Sequence, residues 1–202
     1  MMKQITNQNV YDKQAMVYDK LRNQSLFERP WLDQFLQLLT KEEQAYILDL
    51  GCGTGRPISE YFIEQGHHIT GVDFSPNMLE IAQNSFPEQN WVAGDIRNIS
   101  LKQKYDGIIS WNGFFHLTQV EQRHALPVII DHLKPMGTLL MTIGHEKGDV
   151  TGKVNGQLVY HSSLSIEEYT YILEDNNVRL VNYTLQDAKI RGHSVLLAQK
   201  MR

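Results

Sequence analysis

The segment Asp49-Leu50-Gly51-Cys52-Gly53-Thr54-Gly55 constrains this chain more than any other. Three glycines in five residues follow the short apolar run Tyr46 to Leu50 and precede a helical pattern that starts near Ile58. A strand that hands over to a helix through closely spaced glycines lets backbone approach a ligand and adopt turns that a Cβ forbids. In an open sheet with crossover helices, ligands bind outside the carboxyl ends of the strands, near the point where strand order reverses. A nucleotide-type ligand belongs at such a turn. The carboxylate of Asp49 would repel a pyrophosphate there and attract an ammonium group.

Two phosphate-binding patterns fail on spacing. A Walker loop needs Gly-x4-Gly-Lys-Ser/Thr, and the Lys-Ser/Thr pair is missing. A dinucleotide fingerprint needs a third glycine at position 56, where Arg56 stands. A nicotinamide-dependent oxidoreductase is therefore weakened and stays as an alternative. Cys52 has glycine neighbours and no indicated His/Asn partner, so it reads as a small residue in a tight turn rather than a nucleophile.

Apolar runs and helical stripes alternate along most of the chain, which predicts an α/β fold with a parallel sheet and crossover helices. Residues 1–45 read as a helical cap, with Pro30 opening a helix whose apolar face is Trp31, Leu32, Phe35, Leu36 and Leu39. A helix from Ile58 to Gln65, stopped by Gly66, leads to a strand from His68 to Val72 that ends at Asp73. Ser75-Pro76 caps the next helix, with Met78, Leu79 and Ala82 as its buried stripe. Trp91 to Ala93, Gly107 to Ser110 and Gly137 to Ile143 give three more strands. Thr118-Gln119-Val120-Glu121 is a capping box whose helix runs towards Leu133. Pro127 lies inside that helix and is expected to kink or divide it, at a cost of about 3 kcal/mol. His124 and His132 would lie on its solvated face. Ser165 caps a last helix, and Arg179 to Leu185 with Ser194 to Gln199 would close the fold as an antiparallel hairpin. Gly144 to Leu164 has four glycines and little periodicity and reads as a long loop, a possible lid.

Ile47 to Gly55 resembles motif I of the class I S-adenosylmethionine-dependent methyltransferases. Thr70 to Leu79 resembles that family's second motif, Gly94-Asp95-Ile96 its third, Tyr105 to Ser110 its fourth strand, and Leu133 to Leu139 its turn into strand five. Met136 sits where the family most often has glycine. The resemblance implies a Rossmann-like sheet of order 3-2-1-4-5-7-6 with helices on both faces, and S-adenosylmethionine as cofactor. It implies that Gly51, Cys52 and Gly53 approach the methionine part, and that Asp49 attracts the ammonium. Asp73 would accept from both ribose hydroxyls, while Phe74 and Met78 pack on adenine. At Gly94-Asp95-Ile96, Asp95 would accept from the exocyclic amine and the Ile96 N–H would meet a ring nitrogen. Tyr11 and Tyr18 resemble a segment that closes over the cofactor.

Two hundred and two residues make one domain on the usual scale of roughly 100–200 residues. With 19 Lys+Arg against 23 Asp+Glu, a net charge of −4 and no basic run, nucleic acid is a poor substrate. No apolar leader or span of 18 residues is present, so no membrane is expected and the cytoplasm is the expected location. The one cysteine excludes an intrachain disulfide and a cysteine-based zinc cage, and no His-x3-His pair suggests a metal. The expected reaction is methyl transfer to a small molecule. Trp111, Phe114 and Phe115 would line the acceptor pocket, with His116, His145 and His161 as candidate bases. The same residues leave room for a protein that binds the cofactor without turning it over, and for a methyltransferase that acts on protein or RNA.

Overall fold

Neighbouring apolar residues of each central strand point into two different cores. Leu48, Leu50, Ile108, Leu139, Met141, Leu196 and Ala198 are buried together in one. Ile47, Ile109, Leu140, Val195 and Leu197 are buried in the other. That alternation is the two-residue period of strands covered on both faces, which is why they read as unbroken apolar runs.

The computed structural model describes residues 12, 25–39, 44–154 and 157–202. Its elements are α1 (Arg29–Leu38), β1 (Tyr46–Leu50), α2 (Ile58–Glu64), β2 (His68–Asp73), α3 (Pro76–Ser85), β3 (Asn90–Ala93) and β4 (Tyr105–Ser110). A 3₁₀ turn (Phe114–His116), α4 (Gln119–Asp131), β5 (Leu133–Ile143), β6 (Gly148–Val154) and β7 (Gln157–Ser163) follow. The chain continues through α5 (Ile166–Asp175), β8 (Val178–Asp187), a second 3₁₀ turn (Ala188–Ile190) and β9 (His193–Lys200). The seven-stranded sheet has the order β3-β2-β1-β4-β5-β9-β8. It is parallel from β3 to β5, and β9 runs antiparallel to both neighbours. This is the expected 3-2-1-4-5-7-6 order, because β6 and β7 pair only with each other.

Helices cover both faces. Trp31, Leu32 and Phe35 of α1 and Phe62 of α2 fill one core. Leu126, Ile129 and Ile130 of α4 and Tyr169 and Leu173 of α5 fill the other. Among the described residues, no helix is long and apolar enough to cross a membrane.

Of the two outcomes expected at Pro127, division does not occur, since α4 is one element with the proline inside, and two further expectations need correction. Leu126, Ile129 and Ile130 are 0–2 % exposed, and burying each contributes about 1.5–3 kcal/mol, enough to offset one lost backbone bond. His132 is not on a solvated face. It is buried, with Nδ1 donating to the Val128 carbonyl at 2.8 Å and Nε2 accepting from the Leu101 N–H at 3.1 Å. Residues 144–164 are not an irregular loop, because β6 and β7 form a regular antiparallel ladder from Gly148↔Ser163 outward. Backbone pairing there satisfies the polar groups that a long loop would leave to solvent. Met136 has a φ of +66°, the left-handed region that favours glycine, at the place where the β4–β5 register shifts.

Candidate active site

β1 lies at the reversal point of the sheet, between β2 and β4, and the loops after β1 and β4 meet there. The N–H groups of Gly51 and Cys52 both donate to the Val72 carbonyl, at 2.8 and 3.2 Å, which folds the glycine turn onto the end of β2. Gly51 has a φ of +77°, and a Cβ on it would stand 3.2 Å from the Gly113 Cα. A Cβ on Gly113 would lie 2.9 Å from the Leu50 carbonyl oxygen. Ser110 Oγ donates to that same oxygen at 2.9 Å. The result is a seat of bare backbone at the mouth of the crevice.

Four carboxylates frame it. Asp73, at the end of β2, accepts from the Gly53 N–H on Oδ2 and from the Ser75 N–H on Oδ1, both at 2.9 Å. Burial raises its pKa against the pull of those backbone bonds, and the nearby Asp12 carboxylate adds to the rise. Asp12 itself accepts from Ser75 Oγ at 2.7 Å. Asp49, 3 % exposed, accepts from Ser59 Oγ of α2 at 2.6 Å. Asp95 follows β3 and is held by Arg97, whose guanidinium keeps the carboxyl below its usual range. Met78 is buried with its Sδ 4.0 Å from where a Gly53 Cβ would be, while Phe74 and Ile96 are half-buried.

The aromatic residues after β4 separate. Phe114 is 0 % exposed and packs in the core beneath the others. Phe115 lies edge-on to His116 at 4.9 Å and to His161 of β7 at 4.8 Å, and the two imidazoles are 4.9 Å apart. His116 Nδ1 donates to the Tyr160 carbonyl at 3.0 Å, which leaves Nε2 as an acceptor. Burial pushes His116 down to about 4 and also lowers His161. Both are neutral at physiological pH, and His116 is a weak base. His145 is exposed and lines a separate cavity of about 220 Å³ with Ile143, Leu164 and Leu185. Trp111 is buried and stacks on His193 with centroids 5.8 Å apart.

Several polar atoms at this end of the sheet are buried with no hydrogen-bond partner among the described residues: Thr54 Oγ1, Trp111 Nε1 and Asn112 Oδ1. Buried polar atoms are almost always paired, so such a group of orphans beside a backbone cradle fits a polar ligand.

A methyltransferase-domain family model matches residues 47–137, which runs from β1 through the start of β5 and so contains the cradle. An uncharacterized methyltransferase of Alkaliphilus oremlandii is 25% identical over 195 residues, 92% of this chain and 89% of that protein. A malonyl-[acyl-carrier protein] O-methyltransferase of Bacillus cereus is 34% identical over 146 residues, 69% of this chain and 53% of that enzyme. A mouse 18S rRNA (guanine-N(7))-methyltransferase is 31% identical over 94 residues, 46% of this chain and 33% of that protein. The chain belongs to the class I S-adenosylmethionine-dependent methyltransferases. The fold of the Burkholderia thailandensis 1,6-didemethyltoxoflavin-N1-methyltransferase, solved with its acceptor and S-adenosylhomocysteine, superposes with a TM-score of 0.72 at 21% identity, covering 97% of this chain and 88% of that one. The chain spans 89% of the Alkaliphilus protein but only about half of the Bacillus cereus enzyme.

In this methyltransferase the structure brings Asp49, Gly51, Cys52, Gly53, Asp73 and Met78 together at the ends of β1 and β2, with Gly94, Asp95 and Ile96 on the loop that leaves the neighbouring strand β3. The Gly94 N–H donates to the Asp73 carbonyl at 3.0 Å. Tyr11 and Tyr18 lie outside the described residues. Sequence reasoning missed Asp12, Ser59 and Arg97. Asp12 meets Ser75 from 63 positions away and Ser59 meets Asp49 across the glycine turn, while Arg97 stands only two residues from Asp95 and its spacing alone does not mark it.

Proposed function

We propose that this methyltransferase transfers the methyl group of S-adenosylmethionine to a small-molecule acceptor, seated between the carboxyl end of β4 and the β6–β7 hairpin. The observation that carries this is the state of Asp73. The Gly53 and Ser75 N–H groups donate to one oxygen each and, with a further backbone bond from Phe74, fix the plane of the carboxylate, which in that orientation can accept from the two ribose hydroxyls.

The remaining assignments follow the crevice. Gly51, Cys52 and Gly53 would carry backbone against the methionine part, with Asp49 attracting its ammonium and Asn112 Oδ1 supplying a further buried acceptor. Phe74 and Met78 would pack on the adenine ring, and Asp95 and the Ile96 N–H would meet its polar edge. S-adenosylmethionine supplies a methyl group activated by a sulfonium that carries its own leaving group. The protein's part is then to align the acceptor and exclude water. Phe115 and Trp111 would supply the apolar wall, and His116 and His161 neutral hydrogen-bonding edges, while His145 lies apart on its own cavity. Residues 1–45, with Tyr11 and Tyr18, and residues 144–164 are read as cap and lid of a single domain. A small acceptor agrees with the acidic balance of the chain and with the acceptor named for the Burkholderia enzyme.

The test is thermal unfolding with S-adenosylhomocysteine, with NAD and with neither, on wild type and Asp73→Ala. Ligand at a hundred times its Kd stabilises by about 2.7 kcal/mol. A shift with S-adenosylhomocysteine alone, lost in Asp73→Ala, is expected. A shift with NAD alone overturns the cofactor. Incubation with small-molecule extracts and with total RNA then separates the acceptors, and methyl transfer to RNA alone overturns the small-molecule reading.

A further inference from the structure

Arg97 stands two residues after Asp95 and holds its carboxylate from one side. Nε lies 2.9 Å from Oδ1 and 2.8 Å from Oδ2, Nη2 also bonds Oδ2, and the Arg97 backbone N–H donates to Oδ1 at 2.9 Å. The guanidinium is itself anchored at its far end, where Nη1 donates to Glu121 Oε1 at 3.0 Å. Glu121 is not free to follow it. Its Oε2 accepts from the Thr118 N–H at 2.8 Å and from Thr118 Oγ1 at 2.9 Å, the capping box that starts α4. A chain of charge-assisted bonds therefore runs from the end of β3 to the fixed first turn of α4.

An arginine fork matches a carboxylate in two dimensions, so it fixes the plane of the acid as well as its charge. Asp95 remains 37 % exposed on its other side. An exposed ion pair contributes only about 0–1 kcal/mol to folding, so stability alone gives little reason for a doubly anchored arginine here.

We propose that Arg97 is a positioning residue that holds Asp95 as a fixed, acceptor-only carboxylate for the exocyclic amine of the adenine ring, so that the site selects adenine over a purine with a 6-oxo group. The proposal rests on the methyltransferase reading above. A clamped carboxylate accepts from an amine and repels a carbonyl oxygen in the same place. A carboxylate released from its clamp can turn away from the oxygen, and the discrimination falls. Glu121 contributes by holding the guanidinium in register, and a lysine at 97 keeps the charge without the fork.

Calorimetric titration of the full chain with S-adenosylhomocysteine and S-inosylhomocysteine tests this on wild type, Arg97→Lys, Arg97→Ala and Glu121→Gln, each checked for an unchanged thermal midpoint. Wild type should prefer the adenine ligand by about tenfold or more. In Arg97→Ala the adenine ligand should weaken by about tenfold while the hypoxanthine ligand changes little, so that the preference collapses. Arg97→Lys should lose most of the preference and Glu121→Gln part of it. An unchanged preference in Arg97→Ala and Arg97→Lys, or none in wild type, overturns the proposal. Wild type that binds neither ligand overturns the methyltransferase reading itself, a result distinct from binding without discrimination.

Discussion

The backbones of Gly51 and Gly113 approach so closely that a Cβ on the first would stand 3.2 Å from the Cα of the second. Gly113 leaves even less room, since its own Cβ would lie 2.9 Å from both the Leu50 carbonyl oxygen and Ser110 Oγ. Overpacking of this kind costs about 1–3 kcal/mol. Gly113→Ala should lower the melting midpoint by roughly 2–4 °C per kcal/mol and weaken S-adenosylhomocysteine at least about tenfold, because the two loops are forced apart at the proposed cofactor seat. Melting curves with and without ligand check both effects, and an alanine variant that keeps full affinity would remove the cradle from the site.

Asp73 offers a test of charge against shape. In Asp73→Asn one side of the new amide is a donor facing either the Gly53 or the Ser75 N–H, so one backbone bond is replaced by a clash of donors. The expected loss of stability is about 1–3 kcal/mol, and S-adenosylhomocysteine affinity should fall further than in Gly113→Ala. Chemical denaturation and calorimetry on the same preparation separate the two losses.

His116 gives the protein a pH dependence of defined sign. Burial lowers its folded pKa from 6.5 to about 4, so the unfolded chain takes up a proton that the folded chain refuses. The associated stability is complete above about pH 6.5 and is lost as the pH falls towards 4, to about 3 kcal/mol at most. His161, also lowered, acts in the same sense. Urea midpoints at pH 7.5 and 5 should differ more for wild type than for His116→Gln. Equal slopes would mean that the imidazole is solvated in the folded state.

Pro127 leaves α4 one bond short without breaking it. Pro127→Ala restores a donor to the helix interior and should stabilise the fold by about 1–3 kcal/mol, read as a rise in melting midpoint, with S-adenosylhomocysteine affinity unchanged.

Local chemistry made much of this fold legible. The glycine turn, the cap at Ser75, the capping box at Thr118 and the buried runs of β1, β4 and β5 each announce themselves within a few residues, and each is where the pattern puts it. Met136 departs from a family glycine, and its positive φ shows why glycine is favoured there. The hairpin was not legible, because Gly148 and Gly152 interrupt the alternation that would have marked its first strand. Helical spacing said nothing about Leu101, whose N–H draws His132 into the interior. The Asp95–Arg97–Glu121 chain joins residues up to 26 positions apart through side-chain geometry alone, which no period in the sequence encodes.

The separateness of the β6–β7 hairpin has a consequence for how such a protein can change. Its ladder shares no strand with the seven-stranded sheet, and it is fastened by Gln122 Nε2 on the Ser162 carbonyl, at 2.8 Å, by the Gly144 N–H on Ser163 Oγ, at 3.1 Å, and by His116 Nδ1 on the Tyr160 carbonyl, at 3.0 Å. Outward from those fastenings, residues can be exchanged or added without moving the register of any strand that carries the cradle. The outer half of the hairpin is thus an interchangeable part, where a laboratory library or natural drift could retune what the enzyme accepts while the machinery for its cofactor is inherited intact.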